Sequence, residues 1–292
     1  MVRFMSFWKL VFVFALVCLP ISANATVEFT QTLKRINDSG EINLGYRENQ
    51  TPMSFDQGYN KPAGYSVELC NRIAAGVKQK LGRSDIRINY VPVTAESRFD
   101  AIQSGKIDIL CGATTKTLSR SEIVGFTQLT FVTGGSLLSR NEAVVENIKG
   151  LEGKRVAVVS NTTTIGSLND AISGLGIDVE VVPVDSTNEG MVMLERGQID
   201  AFSADQVVLI GQVISRGGRK LYSLSSELFS FEPFALAVPR GDADFQLIAD
   251  RVLSQLNRSG EIGEIYKKWF SSFGDKPPTA LEVLYQLNST PP

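Results

Sequence analysis

Two blocks of this sequence share one pattern, and this repetition constrains the fold more than any other feature. RFDAIQSGKIDILCGA at 98–113 and GMVMLERGQIDAFSAD at 190–205 each read as a short helix, a glycine, an Ile-Asp pair and a strand. Glycine suits the left-handed residue that ends a helix, and the isoleucine that follows begins a buried strand. The repetition predicts two similar lobes, each with its own sheet.

Strand-like and helix-like stretches alternate around these blocks. EINLGY reads as a strand, SVELCNRIAAGVKQKL as an amphipathic helix, and IRINYVPV as a second strand. Such alternation predicts an α/β fold with largely parallel sheets, which bind ligands at the carboxyl ends of their strands. The stretches TFVTGGSLLS and SSELFSFEPFALAVP could each carry the chain from one lobe to the other.

The first 25 residues have the pattern of a secretory signal peptide. Arg3 and Lys9 supply the positive charge, residues 10–19 the apolar run, and Ala-Asn-Ala at 23–25 the cleavage site. We therefore expect an exported protein that begins near Thr26. Without this segment the chain has 27 basic against 31 acidic residues, a balance that argues against nucleic acid as a partner.

The residue types exclude some chemistries and leave the state of the cysteines open. The chain contains no histidine, which removes Ser-His-Asp and Cys-His catalysis and argues against a zinc site. We expect no cofactor. After the signal peptide only Cys70 and Cys111 remain. A disulfide between them and two buried free thiols are both compatible with the sequence.

The loop ATTKTLSR after the first repeated strand is a candidate site for an anion. The planar guanidinium of Arg120 can grip a carboxylate in a bidentate manner, and the threonines beside it offer hydroxyls and backbone N–H groups. A solvated surface turn is the simpler interpretation of this loop taken alone. The polar stretch SNTTT at 160–164 precedes a helix, where free N–H groups favour an anion, although ordinary helix capping explains it equally well.

Three other charged residues follow predicted strands at the same edge. Asp205 could accept the ammonium of an amino acid, or it could only cap the helix after it. Arg47 and Arg98 would suit a ligand with a second carboxylate, although each taken alone is also typical of a solvated surface charge.

Several motifs in order make the chain similar to a known family. GYSVEL at 64–69, GKIDIL, TTKTLSR and the closing SGEIGEIYKKWF resemble landmarks of the periplasmic solute-binding proteins of polar amino-acid ABC transporters. The resemblance covers essentially the whole mature chain and is strongest to the glutamate/aspartate-binding branch. Ser66 departs from the family, which usually has an acidic residue there.

The resemblance implies a role for each candidate residue. Arg120 would bind the α-carboxylate with help from Thr115 and the backbone of Thr163, and Asp205 would pair with the α-ammonium. Arginines that bind the side-chain carboxylate in that branch match Arg47 and Arg98. The implied ligand-binding residues are Arg47, Arg98, Ala113, Thr115, Arg120, Thr163, Asn188 and Asp205.

Some positions depart from the glutamate/aspartate branch. Ala113 and Ala95 stand where serines are expected, and Asn188 stands where that branch has a histidine. These changes leave open the choice between glutamate and aspartate, and between the acids and their amides.

The resemblance also implies the architecture and the partners. We expect the two-lobed type II periplasmic binding protein fold, with lobe I from residues 26–132 and 230–292, lobe II from residues 133–229, and two crossing hinge segments. The protein would be a monomer that delivers an acidic amino acid to a membrane permease and catalyses nothing. Two alternatives remain, a cyclohexadienyl dehydratase-like enzyme on the same fold and the ligand-binding partner of a membrane sensor.

Overall fold

The structure is a computed structural model that describes Met1, Phe29, residues 31–272, Gly274 and residues 276–292. The predicted signal peptide lies outside the described residues, apart from Met1. Within the described part of the chain, no helix has the length and apolar character needed to cross a membrane.

Strands and helices alternate along the described chain. The strands are β1 (Glu41–Tyr46), β2 (Asn49–Gln50), β3 (Ser54–Asp56), β4 (Pro62–Ala63), β5 (Arg87–Pro92), β6 (Ile109–Cys111), β7 (Gly125–Thr133), β8 (Gly135–Arg140), β9 (Arg155–Val159), β10 (Glu180–Val184), β11 (Ala201–Asp205), β12 (Tyr222–Leu224) and β13 (Glu232–Val238). The helices are α1 (Gln31–Ser39), α2 (Tyr65–Leu81), α3 (Arg98–Gln103), α4 (Leu118–Ser121), α5 (Thr163–Leu175), α6 (Thr187–Glu195), α7 (Gln206–Ser215), α8 (Ala243–Ser259), α9 (Glu261–Phe270) and α10 (Thr279–Leu287), with a 3₁₀ turn at Ile148–Leu151.

Two five-stranded sheets define the two lobes. The sheet of lobe I has the order β5-β1-β6-β13-β7, and the sheet of lobe II has the order β10-β9-β11-β8-β12. A small third sheet, β2-β3-β4, lies between β1 and α2 in the chain. This arrangement is the predicted two-lobed α/β fold.

Each large sheet is mixed, whereas the sequence predicted largely parallel sheets. Strand β1 pairs in parallel with β5 and β6, and β9 pairs in parallel with β10 and β11. In contrast, β13 runs antiparallel to β6, and β8 runs antiparallel to β11. The parallel strands end at the cleft between the lobes, so a strand that enters a lobe from the hinge must run in the opposite direction.

The two repeated blocks occupy equivalent places in the two lobes. The first block forms α3 and β6, and the second forms α6 and β11. Gly105 and Gly197 follow the two helices with φ angles of 71° and 67°, in the left-handed region that favours glycine. The predicted helix ends are confirmed.

The two hinge segments lie side by side, and two glycines make this close approach possible. A Cβ on Gly134 would overlap the Ser230 carbonyl oxygen, and a Cβ on Gly135 would lie 2.6 Å from the Phe229 ring. The Gly135 N–H donates to Ser230 Oγ at 2.9 Å, and Glu232 pairs with Thr133 as β13 begins. The limits proposed for the lobes, at 132/133 and 229/230, stay a prediction.

A disulfide ties the long helix of lobe I to its sheet. Cys70 lies within α2 and Cys111 ends β6, both fully buried, and their sulfur atoms are bonded across a sequence separation of 41. Of the two states left open by the sequence, this structure has the disulfide. Because the bond closes a long loop, it restricts the unfolded chain.

We predict that the double variant Cys70→Ala/Cys111→Ala lowers the free energy of unfolding by about 2–4 kcal/mol, as expected for the loss of such a crosslink. Urea denaturation would measure the loss. The wild-type protein, unfolded and refolded under reducing conditions, serves as the control and should lose a similar amount. An unchanged denaturation midpoint in the double variant would show that the disulfide does not stabilise the fold.

Candidate functional site

The candidate site lies between the lobes, where the carboxyl ends of the parallel strands face each other. A cavity of about 20 Å³ has Arg47 and Gln50 of lobe I on one side, and Thr164, Thr187 and Asp205 of lobe II on the other. Such a volume holds about one water, which needs roughly 10–15 Å³. A larger molecule can therefore reach these residues only when the lobes separate.

Direct contacts between the lobes define this closed arrangement. Arg98 Nη2 donates to the carbonyl oxygen of Asn161 at 2.8 Å, and Gln212 Nε2 donates to the carbonyl oxygen of Asn49 at 3.0 Å. Gly211 in α7 leaves no room for a side chain against the Thr51 carbonyl. At Gly211 and Thr51 the lobes are thus packed backbone against backbone.

Arg47 and Arg98 are buried on the lobe I side of the cleft. Arg47 follows β1 and Arg98 is the first residue of α3, and the two residues are only 8% and 4% exposed, respectively. Burial lowers the pKa of Arg47 to about 10; burial and the charges of Arg120 and Arg47 lower the pKa of Arg98 to about 9. Arg98 Nη1 is buried and has no hydrogen-bond partner among the described residues. The two groups form a positive site suited to an anion.

Phe99 lies beside two of the positive groups. Its ring centroid lies 4.3 Å from the Arg98 guanidinium carbon and 5.4 Å from that of Arg120. An aromatic ring attracts cations within about 6 Å, more strongly where water is excluded. The ring therefore offsets part of the repulsion between these arginines.

Arg120 is fixed by the loop that precedes it. Its Nη1 donates to the carbonyl oxygen of Thr115 at 2.8 Å, and its backbone N–H donates to Thr117 Oγ1 at 3.1 Å, which caps the short helix α4. Burial lowers the pKa of Arg120, and the charges of Glu232 and Asp205 oppose that shift. The loop thus holds the guanidinium between positive and negative groups.

Asp205 is the last residue of β11 and lies on the lobe II side. Its Oδ1 is buried without a hydrogen-bond partner among the described residues. Burial, reinforced by the charge of Glu232 and opposed by Arg120, raises its pKa to about 8. At neutral pH this carboxyl group is therefore mostly protonated until a cation approaches it.

A second buried acid, Glu232, completes the charged cluster and was missed by the sequence analysis. It is 1% exposed, and its Oε2 accepts hydrogen bonds from Thr115 Oγ1 at 2.6 Å and Thr163 Oγ1 at 2.8 Å. Its Oε1 accepts a third from Ser230 Oγ at 2.7 Å. The signal available in the sequence was a single acid in the apolar run FEPFALAV.

The structure brings most of the predicted residues together, with two exceptions. Ala113 presents its backbone N–H to Gln50 Oε1 at 3.0 Å, so it holds a residue that lines the cavity. Asn188 points away, since it is exposed and its Oδ1 accepts a hydrogen bond from Arg216 Nη2 at 2.7 Å. Thr187 faces the cavity instead, because neighbouring positions on α6 point about 100° apart. The residues that meet at the cleft are Arg47, Arg98, Thr115, Arg120, Thr163 and Asp205.

Comparisons with known proteins indicate the family of the chain. A profile of the bacterial extracellular solute-binding proteins, family 3, matches residues 42–272. The L-glutamate/L-aspartate-binding protein of Pseudomonas aeruginosa is 30% identical over 94% of this chain and 89% of its own length. The glutamate/aspartate import solute-binding protein of Escherichia coli is 28% identical over 88% of this chain and 84% of its own.

A solved structure shares the fold. An ancestral amino acid-binding protein, described as a precursor of cyclohexadienyl dehydratase, superposes with a TM-score of 0.71 and 22% identity. The match covers 82% of this chain and all of that one. The predicted two-lobed fold is confirmed by this likeness.

A substitution at Gly211 tests the closure of the two lobes without changing a charged residue. We predict that Gly211→Ala holds the lobes apart, because the added Cβ would overlap backbone atoms of Thr51. Small-angle X-ray scattering should show a larger radius of gyration than for the wild type. Gly174→Ala in α5 is the matched control, since a Cβ there meets nothing within 4 Å. Identical scattering from both variants would contradict the closed packing.

Proposed function

The chain belongs to the bacterial extracellular solute-binding proteins, family 3, and from this premise we propose that it binds L-glutamate or L-aspartate and delivers it to the permease of an ABC transporter. The names of the two relatives, both glutamate/aspartate-binding, support this ligand class. The observation that carries the proposal is the balance of buried charge in the cleft.

Three guanidinium groups share the cleft with two carboxyl groups. Arg98 interacts with both Arg47 and Arg120, and Arg120 also interacts with Asp205 and Glu232. When both acids are ionised, the cluster has one excess positive charge. An amino acid with a second carboxylate carries one net negative charge and leaves the closed complex neutral. A neutral amino acid leaves one buried arginine without a counter-ion, which is costly in a site without water.

Each end of the ligand has an assigned partner in this proposal. Arg120 binds the α-carboxylate together with the backbone at the start of α5, where Thr163 lies. The α-ammonium pairs with Asp205, whose Oδ1 has no partner in the described part of the chain. Arg47 and Arg98 hold the side-chain carboxylate, in agreement with Arg98 Nη1, for which the described residues also provide no partner. The ligand would therefore touch both lobes and stabilise a closed form, with a wider cleft than in this arrangement, over the open form.

The remaining parts of the proposal concern place and assembly. The signal-peptide pattern and the extracellular family support export to the periplasm, with cleavage near Ala25. A monomer that presents both lobes to a membrane permease is the simplest assembly for a carrier protein. We propose that the protein performs no catalysis.

One observation favours a second candidate, a dehydratase that acts on a ring-bearing acid. Asp205, with a pKa of about 8, is a buried proton donor in the cleft, and such a group could assist the loss of water and carbon dioxide. Incubation with prephenate distinguishes the two functions. Formation of phenylpyruvate would establish the enzyme, and unchanged prephenate would exclude this reaction.

We predict that Arg98→Ala weakens glutamate binding at least tenfold and weakens glutamine binding less, because truncating one partner of a buried charge pair costs about 2–5 kcal/mol. Isothermal titration of the mature protein, freed of ligand by unfolding and refolding, would measure both affinities. Arg87→Ala is the control, since Arg87 is an exposed arginine paired with Glu41, away from the cleft.

Two results would contradict this assignment. Equal losses for glutamate and glutamine would remove the side-chain role of Arg98. Failure of the wild type to bind glutamate, aspartate, glutamine or asparagine would remove the ligand class while leaving the family unaffected.

We predict that ligand binding at pH 7 releases a proton from Asp205. Burial raises its pKa to about 8, and an ammonium at Oδ1 would favour the carboxylate and lower that pKa again. Affinity should therefore rise between pH 6 and pH 8 and level off above pH 8. Titrations at pH 7 in phosphate and in Tris should give different heats, because the two buffers take up the proton with different enthalpies. Asp205→Asn should abolish the difference; equal heats in the wild type would exclude the proton release.

A further inference from the structure

We propose that Glu232 is a positioning residue that aligns the two halves of the ligand site across the closed cleft. The inference rests on the proposed function, because it concerns the end of the site assigned to the α-carboxylate. Glu232 lies at the hinge, and in the proposed function its carboxylate does not contact the ligand.

One oxygen atom of Glu232 joins the two lobes. Oε2 accepts the hydroxyl of Thr115, which follows β6 in lobe I, and the hydroxyl of Thr163, which begins α5 in lobe II. The two hydroxyl oxygens lie 3.2 Å apart. Both threonines must therefore be at their closed positions for the carboxylate to bind them together.

The carboxylate itself is held in place. Ser230 Oγ donates to the other oxygen, Oε1, and the backbone of Glu232 pairs with Thr133 at the hinge. The side chain is buried, so water does not compete for these hydrogen bonds. A fixed acceptor of this kind sets the distance between the loops that it binds.

Glu232 acts through its neighbours, since its carboxylate accepts hydrogen bonds from the hydroxyls of both Thr115 and Thr163. The Thr115 carbonyl accepts the guanidinium of Arg120, so fixing Thr115 also fixes the group that receives the α-carboxylate. Thr163 is the first residue of α5, so fixing its side chain orients the N–H groups at that helix end. Glu232 thus aligns both partners of one ligand group.

Because the two threonine bonds end on the same oxygen, two substitutions separate geometry from charge. Glu232→Gln keeps one oxygen that can accept both hydroxyls, and its amide can donate to the Ser230 hydroxyl. It loses only the negative charge. Glu232→Leu has a similar volume and no acceptor. A third variant, Thr163→Val, removes the hydrogen bond from Thr163 to Glu232 and changes no charge.

We expect Glu232→Leu to weaken glutamate binding by about tenfold or more, as for the loss of hydrogen bonds to a charged group. Glu232→Gln should bind glutamate at least about threefold more tightly than Glu232→Leu, because it keeps the acceptor, and less tightly than the wild type, because the cluster then has one more unpaired positive charge. Thr163→Val should weaken binding in the wild type and add nothing to Glu232→Leu, which isothermal titration would measure. A glutamine variant as weak as the leucine variant, or additive losses in the double variant, would overturn the proposal.

A measurement without ligand separates this proposal from the proposed function. Spin labels on cysteines introduced at the exposed Lys80 in lobe I and Lys149 in lobe II report the distance between the lobes. Cys70 and Cys111 are joined in a disulfide and do not react with the label. Glu232→Leu and Thr163→Val should both change the distance distribution from that of the wild type, whereas Glu232→Gln should not.

These outcomes are independent of the ligand. If the wild type bound none of the amino acids tested, the proposed function would fail and the distances would still test Glu232. If both Glu232→Leu and Thr163→Val gave the same distance distribution between the labels as the wild type, the proposed alignment of the two lobes by Glu232 would be refuted. Thermal unfolding checks that each variant folds, and Thr163→Val remains informative if Glu232→Leu does not fold.

Discussion

The burial of two guanidinium groups in one cleft, with a third partly buried beside them, is the constraint on which this structure depends. Like charges without water repel strongly, and removing each charge from water is itself expensive. The fold accommodates them with the Phe99 ring beside Arg98 and Arg120 and with the acids Asp205 and Glu232 nearby. The positive charge that remains unbalanced can attract an anionic ligand. A cleft with this charge attracts an anion most strongly when it closes and excludes water.

Closure and charge are therefore linked in this protein. The lobes meet through backbone groups, such as the Asn161 carbonyl that Arg98 contacts, and Gly211 permits the close approach at Thr51. A cavity of about 20 Å³ leaves no space for an amino acid in this arrangement. Binding must begin with the lobes apart, when the arginines are hydrated. When the lobes close, the arginines lose this hydration, and the negative charge of the ligand offsets that loss.

The sequence predicted the lobes because their signals are local. The glycines Gly105 and Gly197 end equivalent helices, and the strands after them lead into the cleft, so a repeat visible in the sequence locates half of the site. The parallel sheets were predicted too simply, since the direction of β8 and β13 follows from entry at the hinge. The disulfide needed the distance between α2 and β6, which residue spacing does not supply.

Thr187 and Glu232 show why the rest of the site could not be predicted from the sequence. Asn188 and Thr187 are adjacent, and a match of motifs cannot decide which of them faces inward; the rotation of α6 decides it. Glu232 is far in the chain from Thr115 and Thr163, and its importance arises only where β13 crosses the hinge beside both. A residue whose role is to join distant segments has no local pattern of its own. Glu232 is therefore harder to predict than Asp205 and the arginines of the cleft, which follow predicted strand ends or lie in recognisable loops.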